Sequence, residues 1–303
     1  MMILIADSGS TKTDWALLYQ PYPSAKCELL HSFQTQGITP VHQTGAQIRQ
    51  VLEQEMVPQL SKFSRARLAD TQLLEGSLLT KIHVFFYGSG CTPDHVPMMV
   101  QMLSELFSPQ NVDVHSDLMA AARALCQHEA GIGCILGTGA NSCLFDGEQI
   151  VQNTPALGYI LGDEGSGSVL GRMFMNAIFK NPDYADIRDA YLHDQRLTQA
   201  DIIRKVYSEP MGNRFLASTS LYIEQHLDHP LLRQLVIDNF RAFFRANLNP
   251  YRRKDLPVGV VGSMAFHYRE QLEEAARLEG YTLGNILKSP MEGLVTFHQV
   301  DAE

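Results

Sequence analysis

A repeated pattern constrains the fold of this chain more than any other feature: an apolar run, a short turn with glycine and hydroxyl residues, and a second apolar run. The first copy spans Met2–Tyr19, with the polar turn Asp7–Asp14 between its apolar runs. The second copy spans Ile132–Phe145, with the turn Gly137–Asn141. Apolar runs of this length around a glycine-bearing turn are typical of β-hairpins. The repeat therefore predicts two related domains, each opening with a hairpin.

Hydrophobic periodicity predicts further elements between and after the hairpins. Gln43–Leu60 has apolar residues at helical spacing, whereas Ile82–Tyr87 is typical of a buried strand. Ser116 precedes an alanine-rich helical stretch and is a predicted N-cap. Val258–Val261 predicts a late strand, followed by a helix that ends near Glu279. The remaining predictions are strands at Glu28–Gln34 and Val112–His115, a helix at Val96–Phe107, and helices over much of 165–248.

Composition narrows the classes of function. The chain has 303 residues, of which 45% are hydrophobic and 19% charged, which is ordinary for a globular protein of about two domains. Its formal net charge of −9 argues against nucleic acid or an anionic membrane as partner, because both favour a basic surface. A phosphate ligand stays compatible with this charge, since backbone amides and one metal ion can hold it.

Cysteine usage and the apolar segments bear on the compartment. The five cysteines are scattered and form no Cys-x-x-Cys pair, so the sequence predicts neither a zinc ribbon nor a disulfide framework. The first residues lack the basic region and the long apolar run of a signal peptide, and no apolar stretch approaches the roughly 20 residues that span a bilayer. We expect a cytoplasmic protein with reduced thiols.

Two turns are candidate phosphate sites, because hairpins with small residues expose backbone N–H groups. In the first, Asp7 stands at a strand end and could hold magnesium through water. It is not a Walker A loop, since Thr11 precedes Lys12 and the turn leads into a strand. The second turn is Gly137-Thr138-Gly139-Ala140-Asn141. Either turn alone is more often an ordinary hairpin.

Two further turns precede helices. Gly259–Ser263 is a strand-to-helix turn that suits a nucleoside or phosphate at a helix N-terminus. Gly162–Gly167 places Asp163 and Glu164 at the start of a helix, where helix capping is the ordinary explanation. The order of all four turns along one chain is more informative than any of them singly.

In that order the chain resembles the N-acetylglucosamine kinase-like branch of the BadF/BadG/BcrA/BcrD ATPases, within the actin, hexokinase and heat-shock-chaperone superfamily. The resemblance covers nearly the whole chain, and Gly162–Gly167 is its most discriminating stretch. It implies an α/β fold of two ribonuclease-H-like, actin/hexokinase-type domains with an ATP cleft between them. We expect the domains at 1–116 and 117–285, with the C-terminal segment 286–303 able to return to the first.

The same resemblance implies an ATP-dependent kinase that phosphorylates a hydroxyl of a sugar or amino sugar similar to N-acetylglucosamine, with Mg-ATP as the donor. It assigns the nucleotide to Asp7, Gly9, Ser10, Thr11, Lys12, Thr13, Gly137, Thr138, Gly139, Gly262 and Ser263, and magnesium to Asp7 through water. It assigns the sugar to Thr39, Asn141, Gly158, Asp163 and Glu164. On this basis Asp163 is expected to govern the acceptor and not ATP.

The resemblance makes Asp117 the catalytic base. Its place at the start of a helix favours the ionised carboxylate, so we expect it to be unprotonated at neutral pH. A weak base suffices for this chemistry, because phosphoryl transfer depends mainly on positioning and charge stabilisation.

Three departures from the family pattern leave the acceptor open. The chain has Gly37-Ile38-Thr39-Pro40 where Gly-x-Asn is common, Pro155-Ala156-Leu157-Gly158 where animal enzymes have Gly-Gly-Trp-Gly, and Ala140 where serine is common. Two alternatives also stay open: an ATPase activator of a 2-hydroxyacyl-CoA dehydratase, and a nucleotide- or sugar-sensing protein on the same fold. We expect a small-molecule sugar as partner, with no nucleic acid and no membrane, and a homodimer as one option for assembly.

Overall fold

The computed structural model describes residues 1–21, 27–67 and 79–300 of the chain. It consists of two compact units. The first comprises Met1–His128 and Pro290–Glu303, and the second comprises Glu129–Ser289. None of the helices in these described ranges is long and apolar enough to cross a membrane.

The first unit is built on a five-stranded sheet in the order β3-β2-β1-β4-β5. β1, β2 and β3 are antiparallel neighbours, while β4 and β5 continue the sheet in parallel with β1. The strands are β1 (Met2–Ser8), β2 (Lys12–Tyr19), β3 (Glu28–Gln36), β4 (Ile82–Gly88) and β5 (Val112–Ser116). The helices are α1 (Gly45–Val51), α2 (Val57–Arg67), α3 (Val96–Ser104), α4 (Asp117–Cys126) and the C-terminal α13 (Met291–Val300), with a π-helical turn at Leu52–Met56 between α1 and α2.

The second unit repeats this topology. Its sheet has the order β10-β9-β6-β7-β8, with β6, β7 and β8 antiparallel and β9 and β10 parallel to β6. The strands are β6 (Gly131–Leu136), β7 (Ala140–Phe145), β8 (Ile150–Thr154), β9 (Val258–Val261) and β10 (Leu283–Leu287). The helices are α5 (Gly158–Leu161), α6 (Gly167–Lys180), α7 (Ala185–Gln195), α8 (Gln199–Tyr207), α9 (Gly212–Gln225), α10 (Pro230–Phe243), α11 (Ser263–His267) and α12 (Arg269–Glu279), with a π-helical turn at Phe244–Leu248 after α10.

The shared strand order is the ribonuclease-H-like arrangement of three antiparallel strands followed by two parallel ones. The predicted α/β fold of two such domains is confirmed. Each sheet has its own apolar core, in which Trp15 and Phe86 are buried in the first unit, and Phe174, Phe240 and Phe243 in the second. Burial of these large side chains provides the main driving force that holds each unit together.

The first unit extends beyond the boundary at residue 116 that the sequence predicted, because α4 packs within it. The Arg123 Nη1 group of α4 donates to the Tyr87 hydroxyl of β4 at 2.7 Å. Gln127 Nε2 donates to the Gly293 carbonyl of α13 at 3.1 Å. The C-terminal segment joins the first unit from Pro290, not from 286, since Leu283–Leu287 forms an edge strand of the second sheet.

Candidate active site

The β1–β2 hairpin is tighter than the sequence pattern predicted. Asp7 pairs with Asp14 and Ser8 with Thr13 across the two strands, which confines the turn to residues 9–11. The Gly9 N–H donates to the Lys12 carbonyl at 3.0 Å and closes this turn. The tip of the hairpin is exposed to solvent, and it includes Ser10, Thr11 and Lys12.

The side chains on either side of the turn face different surroundings. The Lys12 ammonium pairs with the Asp14 carboxylate at 2.8 Å. Thr13 is fully buried, and its hydroxyl lies 2.6 Å from Ser8 Oγ and donates to the Gln36 carbonyl at 3.2 Å. Thr13 therefore supports the hairpin from inside, whereas the sequence predicted a contact with the nucleotide.

Two side chains that sequence reasoning missed hold the segment Gly37–Pro40: Ser8 ties it to the hairpin, and Gln43 braces the segment itself. Ser8 Oγ donates to the Ile38 carbonyl at 2.9 Å and accepts from the Ile38 N–H at 3.0 Å. The Gln43 amide accepts from the Thr39 N–H at 2.7 Å and donates to the Gly37 carbonyl at 2.9 Å. Thr39, a predicted sugar ligand, is thereby held beside the hairpin.

Gly37 has no space for a side chain, because a Cβ there would lie 2.3 Å from the Gly9 carbonyl oxygen. We expect Gly37→Ala to lower the free energy of unfolding by about 1–3 kcal/mol, since the backbone of the hairpin must shift. The matched control is Gly9→Ala, where the nearest heavy atom would be 3.8 Å away. Thermal unfolding measures the effect, and equal melting temperatures for the two variants would contradict the packing described.

Asp117 is the first residue of α4, and Ser116 caps this helix by accepting from the Met119 N–H at 3.2 Å, as predicted. The Asp117 carboxylate accepts hydrogen bonds from the Ser89 hydroxyl and from backbone N–H groups at the helix start. Ser89 in turn donates its own N–H to the Ser8 carbonyl at 2.8 Å. Ser89, which the sequence did not single out, thus joins the hairpin to the predicted base.

Burial raises the pKa of Asp117, even though the hydrogen bonds from Leu118, Ser89 and its own N–H act in the opposite direction. The sequence predicted a carboxylate kept ionised by the helix dipole. In the structure, removal of the carboxylate from water outweighs the favourable helix start, so the pKa shifts in the direction opposite to the effect of the helix dipole. A higher pKa also makes the carboxylate a stronger base.

Asp7 and Asp117 form an acidic cluster, because the charge of Asp117 affects the pKa of Asp7. Burial is the largest effect that raises its pKa to about 7, followed by the negative charges of Asp14 and Asp117, while Lys12 lowers it. Nowhere in the described ranges do three His, Cys, Asp or Glu side chains form a group that could coordinate a metal directly. The carboxylate oxygens do suit a hydrated Mg²⁺ ion, which prefers oxygen ligands and keeps several of its waters.

In the second unit, the turn between β6 and β7 is held through its carbonyl groups. The Gly167 N–H at the start of α6 donates to the Gly137 carbonyl at 2.8 Å, and Ser168 Oγ donates to the Thr138 carbonyl at 2.6 Å. A Cβ at Gly137 would meet no heavy atom within 4 Å, so a ligand can approach the backbone there. This geometry fits the predicted phosphate turn.

The acidic loop Gly162–Gly167 contacts this turn through Asp163. The buried Asp163 carboxylate accepts a hydrogen bond from the Ala140 N–H, and its Oδ2 atom lies 3.0 Å from where a Cβ of Gly139 would be. Burial raises the pKa of Asp163, and the charge of Glu164 adds to this effect. The sequence assigned Asp163 to the sugar alone. Because Asp163 also contacts the predicted phosphate turn, we expect its loss to disturb that turn as well.

The third predicted turn lies beside the second one. Gly262 has φ 129° and precedes α11, and a Cβ there would lie 2.2 Å from the Leu136 carbonyl at the end of β6. Glycine is therefore required at this position. Ser263 follows as the first residue of α11 and is exposed.

Two predicted sugar ligands have local surroundings of their own. The Asn141 side-chain oxygen accepts from the Ser142 N–H at 2.9 Å and from Asn153 Nδ2 at 3.0 Å, so it is bonded towards β8. Gly158 has φ 75° and begins the short helix α5, directly after Leu157 with φ 61°.

Among solved structures, a provisionally assigned N-acetylglucosamine kinase from Porphyromonas gingivalis is 44% identical to this chain, with a TM-score of 0.82. The match covers 98% of this chain and 99% of that one. The chain belongs to the N-acetylglucosamine kinase-like family. A second provisionally assigned N-acetylglucosamine kinase, from Chromobacterium violaceum, shares the fold of this family member at 16% identity, with a TM-score of 0.70 over 98% of each chain. No family model matches this N-acetylglucosamine kinase-like chain, and no curated protein does.

Proposed function

We propose that this protein transfers the γ-phosphoryl group of ATP to a hydroxyl group of a sugar or amino sugar of the N-acetylglucosamine type. The observation that carries the proposal is the acidic cluster of Asp7 and Asp117 beside a glycine hairpin. It occurs in a chain that is 44% identical to a provisionally assigned N-acetylglucosamine kinase. Clustered carboxylates whose pKa values are raised are typical of functional sites.

In this proposal Asp117 accepts the proton of the attacking hydroxyl group. The acceptor oxygen forms its bond to the γ-phosphorus while the bond to the β,γ-bridging oxygen breaks, and ADP leaves. The hydrogen bond from Ser89 and those at the start of α4 orient the Asp117 carboxylate towards that proton.

Magnesium, bound together with ATP, would neutralise charge on the phosphates. The Asp7 carboxylate would accept hydrogen bonds from the waters of the ion, as expected of a partly buried acid at a strand end. The other nucleotide contacts would come from residues 10–12 of the first hairpin, residues 137–139 of the second, and Gly262 with Ser263.

The acceptor contacts would come from Thr39 and Asp163, each held in place by hydrogen bonds to its neighbours. A carboxylate accepts hydrogen bonds from sugar hydroxyls, whereas a threonine hydroxyl can both donate to them and accept from them. Glu164, Asn141 and Gly158 complete the proposed acceptor set.

The alternative of a 2-hydroxyacyl-CoA dehydratase activator, which would hold an iron–sulfur cluster between two subunits with its cysteines, is disfavoured by the environment of the five cysteines. All except Cys126 are buried, and burial raises the pKa of Cys126 to about 11. A four-cysteine cluster shared by two subunits needs two accessible thiolates from each. A sensor without catalytic activity would bind ATP and sugar and yet release no product.

The proposal is tested by incubating the protein with Mg-ATP and a panel of sugars: N-acetylglucosamine, N-acetylmuramic acid, glucosamine, glucose and N-acetylmannosamine. We expect sugar-dependent ADP release with at least one of them, and strongest with a sugar of the N-acetylglucosamine type. Binding of ATP without sugar-dependent ADP release across the panel would favour the sensor and contradict the kinase.

A further inference from the structure

Asn239, in α10, is a fully buried polar side chain whose amide is bonded at both ends to one loop. Its Oδ1 accepts from the Gly165 N–H at 3.0 Å, and its Nδ2 donates to the Ser166 carbonyl at 3.1 Å. A buried amide is costly unless its hydrogen bonds are made, so these two bonds account for an asparagine in an otherwise apolar core.

The loop that Asn239 holds contains a strained residue. Asp163 has φ 56°, which lies in the left-handed region that residues with a side chain seldom adopt. Such a conformation persists only where the surrounding structure fixes it. The Ser166 N–H donates to the Asp163 carbonyl at 3.0 Å, so the backbone that Asn239 anchors is bonded directly to the strained residue.

The residues that follow Asn239's partner Ser166 are bonded to the predicted phosphate turn. The Ser166 hydroxyl caps α6 by accepting from the Val169 N–H at 3.2 Å. The next two residues, Gly167 and Ser168, donate to the carbonyls of Gly137 and Thr138. A shift of Ser166 would therefore move both the Asp163 carboxylate and the start of the helix that holds the turn.

A second asparagine reaches the loop from the segment that follows α10. Asn247 is buried, and its Nδ2 donates to Glu164 Oε2 at 3.4 Å. In a regular α-helix, two residues eight positions apart differ in direction by about 80°. The π-helical turn Phe244–Leu248 slows the rotation of the chain and brings Asn247 back towards the side of Asn239.

We propose that Asn239 is a positioning residue that keeps Asp163 in its left-handed conformation against the phosphate turn. Its effect on the loop follows from the hydrogen bonds alone. Its effect on phosphoryl transfer rests on the proposed function.

The test compares Asn239→Ala with Val236→Ala, a variant of another fully buried side chain in the same helix. Both remove core packing, but only the first removes bonds to the loop. Amide hydrogen exchange is followed in peptides that cover 162–168, and kcat and KM are measured well below the melting temperature of both variants. We expect exchange in these peptides to be at least tenfold faster in Asn239→Ala and near wild type in Val236→Ala. We also expect kcat to fall at least tenfold in Asn239→Ala alone.

Three results would decide the proposal. Unchanged exchange in Asn239→Ala would overturn it, and so would faster exchange with an unchanged kcat. Faster exchange in a protein whose wild type phosphorylates no sugar would support the anchoring of the loop and refute the proposed kinase instead. If Asn239→Ala does not fold, Asn239→Ser, which keeps a hydroxyl group at the buried position, takes its place.

Discussion

Asp117→Asn is expected to lower the rate of phosphoryl transfer by about a hundred- to ten-thousandfold, while the protein still folds and binds ATP. Asparagine has the size of aspartate and its side-chain oxygen can still accept the hydrogen bond from Ser89, but it cannot take the proton of the attacking hydroxyl. Loss of a general base typically has an effect of this size. Single-turnover phosphorylation, together with nucleotide affinity and thermal unfolding, measures it.

The matched control for this variant is Asp113→Asn. Asp113 lies on β5, four residues before Asp117, and its carboxylate pairs with His83 at 2.8 Å. We expect this control to transfer phosphate at close to the wild-type rate. A folded Asp117→Asn protein with the wild-type rate would show that Asp117 is not the base.

Asp7→Asn is expected to stabilise the fold at about pH 8 while it abolishes magnesium-dependent transfer. The pKa of Asp7 rises from 3.8 to about 7 in the folded protein, which corresponds to about 4 kcal/mol as an upper bound. Between pH 3.8 and about pH 7, Asp7 is protonated in the folded state but ionised in the unfolded state. The free energy of unfolding of the wild type therefore falls as the pH rises through this range. Asparagine carries no charge at any pH, so the variant avoids the cost of a buried Asp7 carboxylate at about pH 8. The gain in the free energy of unfolding over the wild type disappears at about pH 4.

Urea unfolding at about pH 8 and about pH 4, with a chelator present, measures this difference in the free energy of unfolding. The control is Asp94→Asn, because Asp94 is exposed and its replacement should change neither value. An Asp7→Asn protein no more stable than the wild type at about pH 8 would contradict the proposed acidic cluster.

The strands that lie inside each sheet could be predicted from sequence, whereas two edge strands could not. Ile82–Tyr87 and Val258–Val261 are apolar runs, because both faces of an inner strand are covered. Ile150–Thr154 and Leu283–Leu287 are edge strands, and most of their side chains are partly or fully exposed. With little burial there is no apolar pattern to detect, and Gly284 weakens the second one further.

The site could be predicted to the level of its turns but not of the side chains that hold them. Gly9, Gly137 and Gly262 stand at strand ends, where local patterns reveal them. Ser8 bonds to a backbone group 30 residues away, and Asn239 bonds to backbone groups 73 and 74 residues away. No local pattern encodes such distant partners. Aspartate adopts the left-handed conformation more readily than most residues with a side chain, but the residue type alone does not predict it at Asp163.

The pKa of Asp117 shows a second limit of sequence reasoning. The sequence correctly predicted that Asp117 begins a helix, and that position favours an ionised carboxylate. Burial is a property of the folded chain, and it raises the pKa of Asp117 against that local effect.

The most direct test of the proposed kinase follows the γ-phosphate itself. The wild-type protein is mixed with ATP radiolabelled at the γ-phosphate, Mg²⁺ and N-acetylglucosamine or another sugar of the panel, and the products are separated. We predict that the label appears on the sugar in proportion to the ADP formed, and that Asp117→Asn suppresses this transfer. Label released only as inorganic phosphate, or retained on ATP with every sugar, would contradict the account.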